Sequence, residues 1–232
     1  MKKLFALMAL ALTLTACGGN QKPKEAKEEV KQEEPAKDES KEKAKEAEEV
    51  KEDIQEANDD DIYSYAGKSF KNEGNTIEVI KAGRVDQTYK IGPVNLTIYG
   101  VLTGRMTGFN DELKAYYDTD KPVDVITIGY SVENTEDKNL HFYVGQSSIT
   151  TDTKEQIEPD LFAGQEGGGE MLGKVEKEGV NLYYPKNAED IKEITLHVAD
   201  ASDDNFANIA KGIKIKFTFN DKGNQVTAEE IK

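Results

Sequence analysis

The sequence predicts an all-β, antiparallel two-sheet sandwich or barrel for residues 62–232, and three observations lead to this fold class. Short segments alternate apolar and polar residues with the period of two that half-buried strands show. These segments are rich in β-branched and aromatic residues, which favour strands. Turn-forming residues separate them without long helical patterns between, which favours two packed sheets over an α/β fold.

Four segments carry the alternation most clearly. In each, the apolar residues fall at every second position, so they share one face of a strand. The segments are VNLTIYGVL at 94–102, VITIGYSVEN at 125–134, ITLHV at 194–198 and IKIKFTF at 213–219. Turns are expected at 134–138, 203–205 and 220–223 because Asn, Asp, Gly and Lys cluster there. We also predict one short helix over 203–212, ending at Gly212.

The first sixteen residues have the features of a secretory signal peptide. Lys2 and Lys3 precede an apolar stretch from Leu4 to Ala16, which is shorter than the roughly 20 residues that a membrane-spanning helix needs. The sequence Leu14-Thr15-Ala16-Cys17 resembles the lipobox of bacterial lipoproteins. The resemblance implies cleavage before Cys17 and transfer of a diacylglyceryl group to its thiol, so that the membrane is a partner through Cys17.

This single cysteine is otherwise hard to explain in an exported chain. An incidental free thiol is the alternative, but a lone unpaired cysteine is unusual in a secreted protein. Two or three acyl chains would hold the protein to a membrane much more firmly than one. We therefore expect a lipid-anchored, extracytoplasmic protein without disulfides.

Residues 17–61 are expected to form an acidic, Lys/Glu-rich tether. Residues 20–61 carry 17 acidic residues and nine lysines and no aromatic residue, which favours a solvated, flexible or partly helical linker. Ala44, Ala47, Val50, Ile54 and Ala57 recur at helical spacing, so a coiled-coil contact is the alternative to a hydrated spacer. The predicted organisation is thus a signal peptide at 1–16, a tether at 17–61 and a sandwich at 62–232.

The net charge of −15 excludes one class of partner. A strongly acidic surface repels the phosphates of nucleic acid and anionic lipid headgroups, so nucleic acid is not expected as a partner. Attachment to a membrane must therefore come from the lipid rather than from charge.

The order of motifs between 121 and 175 is similar to the immunoglobulin-like bacterial family of unknown function numbered 4352. The similar motifs are the strand end Val132-Glu133-Asn134-Thr135 through Leu140, the run from Thr151-Asp152 through Pro159-Asp160, and the loop from Gly169-Glu170 through Lys174-Val175. The resemblance covers about half of the domain and implies an immunoglobulin-like antiparallel sandwich. It brings no enzymatic activity or cofactor. A glycine run replaces the usual Pro-Gly of the family, and the segment EGVNLYYPKNAEDI is longer than expected.

The motifs that usually carry catalytic chemistry are weak here. Gly168 to Lys174 fits G-x-x-x-x-G-K, but Val175 stands where Mg²⁺ binding needs Ser or Thr, so a hairpin loop is predicted instead. His141 and His197 are the only histidines, and we predict surface or edge positions without a catalytic or zinc-binding role. We expect no catalytic residues and no cofactor.

Acidic loops offer only weak candidates for calcium. Ca²⁺ takes six to eight oxygen ligands, but neither loop follows the spacing of a calcium-binding loop, so solvated acidic turns are the preferred interpretation. The candidates are Asp118, Asp120, Asp124, Asp203 and Asp204.

Ten tyrosines and no tryptophan suggest two possible contact sites. Tyr116-Tyr117 and Tyr183-Tyr184 lie near predicted loops, where tyrosines provide stiff, amphipathic contact area for a partner. They also serve as ordinary strand residues. The leading expectation is a non-enzymatic module that binds an envelope or extracellular partner. The alternative is a carboxylate-based hydrolase or carbohydrate-processing enzyme of the cell envelope, with two carboxyl groups in an enclosed cleft.

Overall fold

Two facing layers of antiparallel strands are assembled around one long hairpin. The computed structural model describes residues 55–56, 62–72 and 74–232. The predicted signal peptide, Cys17 and almost all of the predicted tether lie outside the described residues. The predicted division of the chain at residues 17 and 62 therefore stays a prediction.

The described elements are strands with one short α-helix. The strands are β1 (Gln55–Glu56), β2 (Ser69–Lys71), β3 (Thr76–Ile91), β4 (Val94–Thr107), β5 (Val123–Asn134), β6 (Leu140–Phe142), β7 (Ile149–Thr151), β8 (Gln156–Ile157), β9 (Gly169–Met171), β10 (Glu176–Tyr183), β11 (Glu193–His197), β12 (Ala201–Ser202), β13 (Asn208–Ala210), β14 (Lys214–Phe219) and β15 (Val226–Ile231). Helix α1 spans Asp111–Tyr117, and two 3₁₀ turns span Ile62–Ser64 and Val144–Gln146.

One layer is a six-stranded sheet in the order β1-β2-β3-β4-β5-β10. A five-stranded sheet, β15-β14-β11-β7-β8, and a four-stranded sheet, β13-β12-β6-β9, supply the other layer. All pairings are antiparallel except the one between β1 and β2. The predicted all-β sandwich is confirmed.

The main core lies between these layers and contains the alternating residues that the sequence predicted. Ile126, Ile128, Tyr130 and Val132 of β5 are fully buried, because every second residue of the strand points inwards. Apolar residues of β4, β11 and β14, and Val198 directly after β11, are buried in the same core: Val94, Leu96, Ile98, Ile194, Leu196, Val198, Ile215, Phe217 and Phe219.

A shift in strand register divides the long hairpin of β3 and β4 into two halves. The register between β4 and β5 shifts between Ile98 and Gly100, so the residue after the shift that points into the main core is Val101 rather than Gly100. Leu102, the next residue, packs in a separate cluster on the other face of the sheet. The simple alternation of the sequence predicts the first half of β4, but not this change of face.

The side chains of Tyr130, Asn181 and Tyr183 are joined inside the core in one hydrogen-bonded network, here called the core network. The Tyr130 hydroxyl donates to Asn181 Oδ1 at 3.1 Å. Asn181 Nδ2 donates to the Tyr183 hydroxyl and to the Val144 carbonyl, both at 3.0 Å. The Tyr183 hydroxyl donates in turn to the Ser147 carbonyl at 2.8 Å. The network therefore fixes the connection between β6 and β7 against β5 and β10.

Two local predictions are wrong. Residues 203–212 form a turn followed by β13 rather than a helix, because the Asp203 carboxylate accepts the backbone N–H groups of Asn205 and Ala207. Residues 168–174 do not form a hairpin loop. Strand β9 pairs with β6, and β10 pairs with β5, so the intervening residues pass from one sheet to another.

The helix appears instead at α1, which the sequence analysis missed. The Asn110 side chain accepts the Leu113 N–H at 2.9 Å, and Asp111 and Glu112 lie in the first turn. These are ordinary features of a helix start. Asp118 ends the helix in a left-handed conformation with φ of 50°.

The predicted surface or edge position is wrong for His141, whereas His197 is partly exposed on the polar face of its strand. His141 is buried in β6, between β12 and β9, and its ring stacks on Phe206 with centroids 4.5 Å apart. His197 lies in β11, which is an internal strand rather than an edge, and its Nε2 is 2.9 Å from Thr150 Oγ1. Burial and then the positive charge of Lys214 lower the pKa of His197.

Replacing Asn181 by Leu should lower the free energy of unfolding by about 2 kcal/mol, because two buried hydroxyls and one carbonyl each lose one hydrogen bond. Urea denaturation measures the change. The matched control is Asn95→Leu, since Asn95 bonds only to an exposed Glu133 carboxylate and should shift the free energy by no more than about 0.5 kcal/mol. Equal effects of the two substitutions would contradict a special role for the core network.

Candidate functional site

Three of the four predicted contact tyrosines meet at one end of the sandwich. Tyr116 and Tyr117 are the last two residues of α1, and Tyr184 directly follows β10. The Tyr117 ring contacts the rings of Tyr116 and Tyr184 edge to face, with centroids 4.9 and 5.5 Å apart. The hydroxyls of Tyr117 and Tyr184 are 3.1 Å apart. We call these residues, with Asp160, the tyrosine cluster.

The carboxylate of Asp160 lies at the centre of the cluster and orders the loop after β8. The Tyr116 hydroxyl donates to its two oxygens at 2.7 and 2.8 Å, and the Tyr184 hydroxyl donates at 2.9 Å. The backbone N–H groups of Phe162 and Ala163 donate to Oδ1 at 2.9 and 3.1 Å. One side chain therefore joins α1, the end of β10 and its own loop.

These contacts fix the protonation states of the cluster. Burial alone would raise the pKa of Asp160, but the hydrogen bonds from Tyr116, Phe162, Ala163 and Tyr184 outweigh it and lower this pKa. The pKa values of Tyr116 and Tyr184 are raised, mainly by burial, with further contributions from the Asp160 carboxylate. At neutral pH the carboxylate is charged, and the phenols are protonated and able to donate.

The loop that Asp160 orders presents two large apolar side chains to solvent. Leu161 is 62% exposed and Phe162 is 89% exposed, while Tyr116 beside them is 47% exposed. We call Leu161, Phe162 and Tyr116 the apolar tip. An exposed apolar group on an ordered loop is typical of a contact surface, since ordering the loop in advance reduces the entropy lost on binding.

The structure changes the predicted list of contact residues. Tyr183 is fully buried within the core network, so its prediction as a contact residue is wrong. Tyr117 and Tyr184 are half-buried. Tyr117 contacts the Tyr116 ring, and Tyr184 donates to Asp160. Leu161 and Phe162 were not among the residues predicted from the sequence. Their signal was a pair of apolar residues directly after Pro159-Asp160, in a segment without strand alternation.

The acidic residues considered for calcium lie in separate places, and most of them already have other structural roles. Asp124 forms an ion pair with Arg105, at 2.7 Å between Oδ1 and Nε, and accepts the Ala188 N–H at 2.7 Å. Asp118 ends α1, and Asp203 accepts N–H groups of its own turn, while Asp120 and Asp204 are exposed. Within 55–56, 62–72 and 74–232, no three His, Cys, Asp or Glu residues converge as a metal would require.

Two polar depressions contain the carboxylates most relevant to an enzyme. Glu133 and Glu176 lie directly opposite each other on β5 and β10 and line one depression with Lys174. The other is lined by Arg105, whose guanidinium contacts Asp124 and Glu189. The Asp124 hydrogen bond is the largest cause of the raised pKa of Arg105. The absence of enzymatic activity stays a prediction.

The chain is similar in sequence to two bacterial proteins. No family model matches the chain, so the similarity to family 4352 rests on the quoted motifs alone. The chain is 26% identical over 154 residues to a Bacillus subtilis (strain 168) protein named SPbeta prophage-derived uncharacterized lipoprotein YonS, covering 65% of this chain and 70% of that protein. It is 22% identical over 239 residues to the uncharacterized protein YdhF of the same organism, covering 94% of this chain and 100% of that protein.

Solved structures give weaker similarities. A functionally unknown protein from Listeria monocytogenes EGD-e matches with a TM-score of 0.43 and 14% identity, over 52% of this chain and 74% of that chain. The yjhA protein from Bacillus subtilis matches with a TM-score of 0.35 and 16% identity, over 50% and 81%. Among the described residues, no helix has the length and apolar character needed to cross a membrane.

Replacing Asp160 by Asn should destabilise the loop at 160–163 by about 1 kcal/mol, because a neutral amide accepts hydrogen bonds more weakly than a carboxylate. Hydrogen exchange at the Phe162 and Ala163 amides measures the loss, and Asp120→Asn on the exposed surface is the matched control. Because the folded pKa of Asp160 is lowered, its stabilising contribution is present above the unfolded pKa and is lost as the pH falls through the folded pKa. In the wild-type protein, hydrogen exchange of the loop amides, corrected for the intrinsic rate, should therefore become faster only below about pH 4. A loop that is equally ordered in both variants would contradict this role.

Proposed function

We propose that this chain is a lipid-anchored, extracytoplasmic binding protein whose β-sandwich contacts an envelope or extracellular protein through the apolar tip. The lipid is a diacylglyceryl group on Cys17, and residues 17–61 are the tether between the membrane and the sandwich. The binding is non-enzymatic and uses no cofactor.

The lipid anchor is supported by the sequence and by a relative. The sequence Leu14-Thr15-Ala16-Cys17 follows a short apolar stretch with a basic start. The name of the Bacillus subtilis relative YonS contains the word lipoprotein. The resemblance to family 4352 adds the expectation of an immunoglobulin-like module without catalytic residues.

The observation that carries the binding proposal is the combination of exposure and order at the tip. Phe162 is 89% exposed, yet the backbone N–H of the same residue is bonded to Asp160. Exposure of an apolar ring to water is unfavourable, so its exposure on a fixed loop needs another explanation. Burying the ring against a partner would contribute roughly 1.5–3 kcal/mol, and the fixed loop would lose little entropy.

The charge around the tip indicates the chemistry of the partner surface. Glu158 and Glu166 flank the tip in the chain and are exposed, as is Glu112 of the neighbouring helix, whereas Asp111 is paired with Lys114 at 3.6 Å. We therefore expect a partner with an apolar pocket and basic residues at its rim. Such charge complementarity mainly raises the association rate and makes it sensitive to salt.

Replacing Cys17 by Ser should abolish lipidation and release the protein from membranes. Metabolic labelling with an alkyne fatty acid, followed by membrane fractionation, measures both effects. The wild-type chain should carry the label and sediment with membranes. Label on the Cys17→Ser variant, or unchanged sedimentation without label, would refute the anchor.

A photo-reactive benzophenone amino acid at Phe162 should form a discrete cross-linked adduct on intact cells, and the same group at exposed Lys222 should not. Adding Asp160→Asn to the Phe162 probe should reduce the yield several-fold, because the loop loses its fixed geometry. Raising the salt concentration should also reduce the yield. Equal labelling from both positions, or a yield insensitive to Asp160, would contradict the tip as the contact surface.

A further inference from the structure

A second apolar cluster lies on the outer face of the six-stranded sheet. Val101 packs in the main core, whereas Leu102 belongs to the second cluster, because successive strand residues point to opposite faces. We call residues 62–71 the strap, since they pack over this cluster. The cluster contains Phe70, Val79, Ala82 and Leu102, packed with Ile62, Tyr63, Tyr65, Ala66 and Ile77.

The strap is fixed by one aromatic ring in a groove floored by glycine. Gly100 of β4 and Gly129 of β5 are paired directly opposite each other. A Cβ atom at Gly100 would lie 2.7 Å from Tyr63 Cδ1, and one at Gly129 would lie 3.0 Å from Tyr63 Cζ. The ring therefore occupies space that any other residue at these positions would fill. Burial of the phenol raises the pKa of Tyr63.

The backbone of the strap is held by a short set of hydrogen bonds to β3. The Gly67 N–H donates to the Val79 carbonyl at 2.8 Å, and the Val79 N–H donates to the Lys68 carbonyl at 2.9 Å. The following strand β2 pairs with β3 over only three residues. A segment near the edge of a sheet, which pairs with β3 over only a few residues, opens more readily than a strand in the centre of the sheet.

The strap can separate without disturbing the main core. Its apolar contacts belong to the outer cluster, while the main core lies between the sheets and contains no strap residue. Lifting residues 62–71 exposes Val79, Ala82 and Leu102 on the outer face but leaves the burial between the sheets unchanged. Opening of the strap therefore does not require unfolding of the main core.

The position of the strap in the chain gives this separation a consequence. The predicted tether ends at residue 61 and includes β1, which pairs with β2 over two residues, so tension along the tether loads this pair and the strap before the central strands of the sandwich. We propose that the strap is a latch that opens under tension on the tether while the sandwich stays folded, uncovering the glycine groove. The tension rests on the proposed membrane anchor, but the order of opening does not.

Single-molecule stretching of the full chain, produced without lipidation so that the Cys17 thiol is free, between that thiol and the C-terminus tests this order. Cys17 is the only cysteine, so it provides a unique attachment point. We expect a reversible extension of at most about 35 Å, the length of ten extended residues, at a lower force than unfolding of the sandwich. A single cooperative unfolding step, without any earlier extension beyond that of residues 18–61, would overturn the proposal.

Substitutions at Tyr63 provide a second measurement without force. Tyr63→Ala should speed hydrogen exchange at the Gly67 and Val79 amides by about 100-fold, because the groove loses its aromatic ring. Tyr63→Phe keeps the ring and should change exchange less than about tenfold. Gly129→Ala should loosen the strap as Tyr63→Ala does, because the added methyl group would occupy space that the Tyr63 ring fills.

The exchange of amides in β11 and β14 distinguishes a latch from an ordinary part of the fold. These strands should exchange at the same rate in all variants, because they lie in the other layer. If Tyr63→Ala speeds their exchange as much as that of the strap, the strap and sandwich open together and the latch is refuted. Failure of Cys17 to carry lipid would leave these exchange results unchanged, so the two proposals fail separately.

Discussion

The architecture depends on satisfying polar groups that the packing of two sheets forces away from water. The Asn181 side chain solves this problem at the centre, because it is both acceptor and donor for Tyr130 and Tyr183 and also bonds a backbone carbonyl. Burying each hydroxyl with its ring would cost more free energy without this partner. The short connection from β6 to β7 is therefore fixed by hydrogen bonds as well as by apolar packing.

The same physical rule organises the tyrosine cluster, but with a charged acceptor near the surface. Asp160 accepts four donors, and these hydrogen bonds outweigh the cost of partial burial, so the carboxylate remains ionised. The result is a fixed loop that presents Phe162 to solvent. On the outer face of the sheet, the missing side chains of Gly100 and Gly129 have the converse effect, since they leave space for the Tyr63 ring.

Sequence reasoning succeeds where one physical period controls the result. The alternation in β4, β5, β11 and β14 predicts the strands and their buried faces, because side chains of a strand alternate between its two faces. It fails where a local polar group competes with this pattern. The Asp203 side chain turns a segment of helical appearance into a turn, and the Asn110 cap begins a helix without a clear apolar stripe.

The sequence by itself determined the all-β class, because this follows from periodicity. It also predicts an acidic segment and lipid at Cys17, from composition and a contiguous motif. Only the tertiary structure decided which tyrosines are accessible. Tyr183 and Tyr184 are neighbours in the chain, yet one is in the core and the other bonds Asp160, since adjacent residues at a strand end face opposite sides. The exposed pair Leu161 and Phe162 has no periodic signal, so its orientation depends on contacts with residues more than twenty positions away in the chain.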